Sequence, residues 1–164
     1  MMDAKKKQPP SFTQTKGFVF LFIALFLCIG IYNFVTTRMY SYAQVTLGGE
    51  QFRARVADTV YKRTHGLGGT SVLVGHDAML FVFPVKDRYS FWMKDVSYPI
   101  DIVWFADGKI IDVASRVPPV PTDVSISLPT YKPRLAADRV VELPSGTAER
   151  LQLKIGDPIS EIAD

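Results

Sequence analysis

The amino-acid sequence predicts a mainly β domain, mostly antiparallel and compactly closed with one or two short helices, preceded by a single transmembrane helix. Three observations predict it. An uncharged apolar run, Phe18 to Val35, lies near the N-terminus with basic residues on both sides. Beyond it, short apolar, β-branched and aromatic runs recur between Gly, Pro and Asp-Gly turn signals, which is the spacing of strands. With the first 40 or so of the 164 residues set aside, roughly 120 remain, enough for one domain with its own core. The expected organisation is a basic tail at 1–16, an anchor at 17–37, a linker at 38–44, the β domain at 45–160 and a short tail at 161–164.

The anchor reads FVFLFIALFLCIGIYNFV, with Asn33 as its one strongly polar side chain. As a helix it spans about 27 Å, close to the hydrocarbon thickness of a bilayer. A helix satisfies its own backbone groups where lipid offers no hydrogen bonds. Lys5, Lys6, Lys7 and Lys16 precede the run and Arg38 follows it. That bias puts the N-terminus in the cytoplasm and the domain outside the inner membrane. Tyr32, Tyr40 and Tyr42 suit the outer interface. The alternative is a cleaved signal peptide, with Ser41-Tyr42-Ala43 as the cleavage site, but the run is long for that and the site lies well beyond its end.

The net charge of +3 belongs to the N-terminal segment, where the five bases face Asp3 alone; the rest of the chain is slightly acidic. A nucleic-acid binder would concentrate basic charge in its folded part, so no nucleic-acid partner is expected. The bilayer is the expected partner through 17–37, with another envelope protein or a cell-wall component as the partner of the domain. Cys28 is the sole cysteine and lies in the apolar run, so the chain has no internal disulfide and no cysteine-based metal site.

Within the domain, Val45 to Val56 with Gly48-Gly49 predicts a hairpin. Asp58-Thr59 caps a short helix through Arg63, ended by Gly66. The glycines at 66, 68, 69 and 75 mark 66–77 as loop. Met79 to Phe83 is a strand buried on both faces and ended by Pro84. Tyr89 to Lys94 is a second strand, Ile100 to Phe105 a third and Ile110 to Ala114 a fourth, the last two joined by an Asp107-Gly108 turn that tolerates positive φ. Five prolines make 117–133 a long irregular segment. Arg139 to Leu143 is another strand, Ser145 caps a short helix to Leu151, and a last strand lies near Ile159.

Several of these blocks occur in a telling order: Gly66-Leu67, Met79-Leu80-Phe81-Val82-Phe83, Phe91-Trp92-Met93-Lys94-Asp95, Pro99-Ile100-Asp101-Ile102, Asp107-Gly108, Tyr131, Val141-Glu142-Leu143, Ser145-Gly146 and Gly156-Asp157. The chain resembles the DUF192 (UPF0127) family of small prokaryotic envelope-associated domains over about 45–160. The resemblance implies a compact β-barrel-like domain and no established activity. Three departures stand out. Gly68 occupies a place where the family usually has Met, Ala78 one where it usually has Gly, and Asp95 one where Asn is common.

Trp92, Lys94, Asp95, Asp101 and Tyr131 are the candidate ligand-binding residues. Asp101 interrupts an apolar strand, and a charge there needs a partner. A turn between Met93 and Ile100 would bring Lys94 to it, either as a structural pair, or a carboxylate holding loop amides, or as the polar floor of a pocket. Phe91 and Trp92 must face opposite ways on a strand, one to the core and one outward. His65, His76 and Asp77 could in principle form a facial metal site, but two exposed loop histidines without metal-ligand spacing predict no metal and no cofactor. No Gly-x-Ser-x-Gly elbow or phosphate-cradling loop is present.

The function read from the sequence is a membrane-anchored extracytoplasmic binding or accessory domain, with a cleft around Lys94, Asp95, Asp101 and Trp92 covered by the 117–133 segment. The alternatives are an envelope hydrolase or lyase using Asp101 and Lys94 as an acid–base pair, and a structural subunit of a membrane complex.

Overall fold

A computed structural model describes residues 12–120 and 128–163. Most of the expected basic tail, the centre of the proline-rich segment and Asp164 lie outside the described residues. The chain divides between Met39 and Tyr40 into two units.

The first unit contains the helix α1 (Phe12–Arg38). Its stretch Gly17–Thr36 is long and apolar enough to cross a membrane and none of it is buried. A helix apolar on every side needs an apolar surrounding, and a membrane anchor and a signal sequence both meet that description.

The second unit is built from β1 (Ser41–Leu47), β2 (Glu50–Ala57), α2 (Val60–His65), β3 (Asp77–Asp87), β4 (Phe91–Trp92), β5 (Ile100–Ala106), β6 (Lys109–Val117), β7 (Thr130–Tyr131), β8 (Ala137–Pro144), α3 (Thr147–Arg150) and β9 (Ile159–Ala163). Seven strands form one curled sheet in the order β6-β5-β8-β3-β2-β1-β9, and β4 pairs with β7 separately. Two of the hairpins follow from their turns. Gly48 and Gly49, and Asp107 and Gly108, all have positive φ, the geometry that matches strand twist.

One end of the curl is joined across its edges. Lys109 on β6 bridges Pro158, just before β9, and the Ile159 amide donates to the Gly108 carbonyl at 2.9 Å. The sheet is therefore a half-barrel. Strand alternation sorts its side chains into two cores. Every strand of the sheet sends residues to the concave core, among them Val45, Phe52, Leu80, Val103, Ile110, Val141 and Ile159. Met79, Phe81, Ile102, Trp104 and Val140 point the other way and are covered by Leu67, Phe91, Met93, Val96 and Tyr98 from the loops.

Three expectations of element bounds are corrected, and in the mostly antiparallel sheet one pair, β2 with β3, is parallel. Parallel neighbours need a crossover connection, and the stretch containing α2 and the glycine-rich loop supplies it. Ser41 to Gln44, expected as linker, already belong to β1, paired with Arg53 to Val56. β3 runs through Pro84 to Asp87, and the pairing with β8 is interrupted between Val82 and Asp87; a proline there costs no ladder bond. Of the expected strand Tyr89 to Lys94, only Phe91 and Trp92 are paired.

Candidate functional site

A cleft of about 280 Å³ opens on the outer face of the sheet between α2 and β4. Local sequence builds its walls. Thr59 caps α2 through its side chain, which accepts from the Lys62 amide, and Gly66 ends it with positive φ. This presents Arg63 and His65 to the cleft. The opposite wall is aromatic. Phe91 is the hub, edge-on to Phe81 at 4.9 Å, to Phe83 at 6.4 Å and to Trp104 at 6.0 Å between ring centroids. Tyr89 stacks on Phe83 at 3.7 Å. As strand alternation requires, Phe91 is buried while Trp92 is 47 % exposed at the mouth.

Glu142 also lines this cleft. It is 4 % exposed, and its Oε2 has no hydrogen-bond partner among the described residues. On β8 it stands opposite Met79 of β3 and Ile102 of β5, both apolar. Burial pushes its carboxyl up to about 8, although Arg55 pulls the other way. It is thus an uncharged acid near neutral pH, able to donate one hydrogen bond and accept others.

The residues expected at the site separate. Trp92 and Lys94 line the cleft. Tyr131 pairs with Phe91 through β7, and Thr130 with Trp92, so the described end of the 117–133 segment supports the aromatic wall. Asp95 has a φ of 58°, and its carbonyl accepts from the Gly69 amide at 2.9 Å. A short polar side chain tolerates that conformation. Its role here is to turn the chain.

Asp101 is elsewhere and corrects the expected contact with Lys94. It is fully buried. Oδ1 accepts from the Arg116 amide at 2.7 Å and the Gly146 amide at 3.0 Å, and Oδ2 from the Ala148 amide at 2.7 Å. The pairing of β5 with β6 shifts between Ile100 and Ile102, and this bulge frees the Arg116 amide, whose residue has a φ of 52°. Ser145 does not cap α3; its N-cap is Gly146, without a side-chain bond. The Asp101 carboxylate takes that part from a distant strand. No ion pair joins it to Lys94 among the described residues, so the expected acid–base pair is not assembled.

The two histidines belong to different neighbourhoods. His65 stacks on Tyr61, whereas His76 packs on Phe52 and faces Glu50. Among the described residues no three His, Cys, Asp or Glu side chains gather as a metal site.

Gly68 has a local reason. A Cβ there would lie 2.9 Å from the His65 carbonyl oxygen, and the Gly68 amide bonds that same oxygen at 3.0 Å. Gly68→Ala is expected to cost about 1–3 kcal/mol and to displace the end of α2. A lowered thermal midpoint together with shifted amide resonances of Thr64 to Leu67 would verify this; unchanged values of both would refute it.

The fold and site are those of a small curled β domain with a buried acid under a partly aromatic cleft. The chain belongs to the DUF192 family, described as uncharacterized ACR, which it matches over residues 43–160. It is similar to the crystal structure of a protein of unknown function from Novosphingobium aromaticivorans DSM 12444, at 25 % identity and a TM-score of 0.64, over 74 % of this chain and 84 % of that one. A Sinorhizobium meliloti 1021 protein provisionally described as a transcription regulator is similar at 22 % identity and a TM-score of 0.64, over 75 % of this chain and 94 % of that one; this second likeness bears on the fold alone. No curated protein matches the chain.

Glu142 was not among the expected site residues. Its signal was present, since it interrupts the apolar run Val140-Val141-Leu143 much as Asp101 interrupts its own strand.

Proposed function

We propose that this protein is a membrane-anchored binding domain. In this reading α1 spans the inner membrane with its N-terminus in the cytoplasm, and the β domain binds its ligand outside, in the cleft above Glu142. The observation that carries the binding reading is the Oε2 of Glu142, without a partner among the described residues and buried at a cleft with one aromatic wall. A buried polar group without a partner costs stability, and convergent polar groups in an apolar concavity are the signature of a ligand site. Binding is preferred to acid–base catalysis through Asp101 because both oxygens of that carboxylate are engaged by backbone amides. The natural ligand would be presented by a cell-wall component or by another envelope protein.

The full chain in nanodiscs tests the cleft. Of the two tryptophans, Trp92 is half-exposed at the cleft and Trp104 is buried. Single-ring fragments are expected to change Trp92 fluorescence saturably, and Glu142→Leu to weaken this by about tenfold. Fragments that bind equally to wild type and Glu142→Leu would sink the reading. Topology is tested by single cysteines placed at positions 4 and 154 in intact cells, with Cys28 replaced by Ala: a membrane-impermeant maleimide is expected to label 154 only, and labelling of 4 only would reverse the orientation.

A further inference from the structure

The charges around the cleft narrow what it takes. Its lining holds one carboxyl group, Glu142, against Arg63, His65 and Lys94. Arg63 is held in place from three sides. Its Nη1 donates to the carbonyls of Asp58 at 2.6 Å and Val82 at 2.9 Å, and its guanidinium lies over Phe83, 5.2 Å from the ring centre. Elsewhere Arg116, Arg134, Arg139 and Arg150 each hold a carboxylate. Neither Arg63 nor Lys94 does so among the described residues. Arg63 is therefore fixed, neither cation beside the cleft is paired with a carboxylate among the described residues, and beside low-dielectric aromatic walls their field is strong.

We infer that the cleft binds an apolar anion of about one ring in size, its carboxylate at Arg63 and Lys94 and its body against the Phe81, Phe83 and Phe91 rings above Glu142. The inference rests on the binding reading given above and adds the ligand's charge and size. A cationic ligand would meet two like charges on entry. The carboxyl of Glu142, kept uncharged by burial, adds no repulsion and can donate to an acceptor on the ligand. The volume of about 280 Å³ lies at the lower end for ligand pockets. A free aromatic acid and the C-terminal residue of a peptide share this chemistry.

The test uses the full chain in zwitterionic nanodiscs, read by methyl resonances of Val60, Leu67 and Val96, which line the cleft. The probes are 3-phenylpropionate, 3-phenylpropanol, 3-phenylpropylamine, and N-acetyl-Phe-Phe with a free or amidated C-terminus. The acid is expected to bind about tenfold or more tighter than the alcohol and the amine. Lys94→Gln, at an exposed position, is expected to weaken the acid about fivefold and leave the alcohol unchanged. An amine that shifts these methyls as tightly as the acid, or an acid indifferent to Lys94→Gln, overturns the charge assignment and leaves the cleft reading standing. If no probe moves a cleft methyl at millimolar concentration, the cleft reading itself falls. Tighter binding of the free-terminus peptide than of phenylpropionate supports the assignment with a peptide end as source, and the reverse order supports it with a small free acid.

Discussion

Glu142→Gln is expected to melt about 10 °C above the wild-type protein at pH 7.5, and at the same temperature as wild type near pH 4. The cause is proton linkage. The Glu142 carboxyl is raised from 4.5 to about 8 by burial. Between those values the folded protein holds a proton that the unfolded chain has released. Stability is therefore fully present below pH 4.5 and declines as the pH rises through 8, at roughly 1.4 kcal/mol per unit. Gln has nearly the same shape and does not ionise, so at pH 7.5 its advantage is about 2–4 kcal/mol. Other shifted carboxyls titrate outside this window. Glu50 and Glu149 are lowered by hydrogen bonds from Arg150 and Arg116. Burial raises Asp112, but hydrogen bonds from Arg134 outweigh it and leave it lowered. Thermal unfolding of the full chain in mild detergent, followed by near-ultraviolet circular dichroism from pH 4 to 9, checks this. Parallel curves for the two proteins would mean that Glu142 is ionised in the folded state.

A loss of about 3–5 kcal/mol, or more than about 10 °C, is expected for Asp101→Ala. Three backbone amides bond this one carboxylate, and the substitution leaves all three without an acceptor in a place from which water is excluded. The effect is expected to be local before it is global. The bulge at Arg116 and the start of α3 are both tied through Asp101, so the amides of Arg116, Gly146 and Ala148 should lose hydrogen-exchange protection at temperatures where β3 and β8 keep theirs. Asp101→Asn retains one acceptor oxygen and is expected to fall between the two. Ligand binding in the cleft should be unaffected by Asp101→Asn below its melting temperature, because Asp101 does not line it. Full stability of Asp101→Ala would mean that these amides find other acceptors, and that the carboxylate is not what holds α3.

The two acids show how far reading along the chain carries. Each interrupts an apolar strand, and that interruption alone says that the side chain needs a partner or a purpose. Which of the two applies is set by what the fold brings alongside. Asp101 lies opposite a bulge on β6 and near the turn into α3, 45 residues away in sequence, and three donors converge on it. Glu142 lies between Met79 and Ile102, and its Oε2 meets none among the described residues. Alternation around Phe91 turned Trp92 outward, whereas Lys94, expected beside Asp101, lines the cleft instead, Asp95 is a turn residue and Tyr131 a strand partner of Phe91.

Features that depend on neighbours along the chain are legible in the order of residues. The apolar helix is long because its residues are uncharged over a whole run. The hairpins close where Gly48-Gly49 and Asp107-Gly108 accept positive φ. Each strand sorts its side chains by alternation, and α2 begins at Thr59 and ends at Gly66. Tertiary structure decided whatever depends on residues far apart. It set the parallel pairing of β2 with β3, which a crossover of any composition would permit. It joined the curled sheet at Lys109 and Pro158. It gave Asp101 three amide donors and left Glu142 Oε2 without one among the described residues, because the cost of burying a carboxyl group is set by the dipoles and charges around it, and only packing brings those within reach.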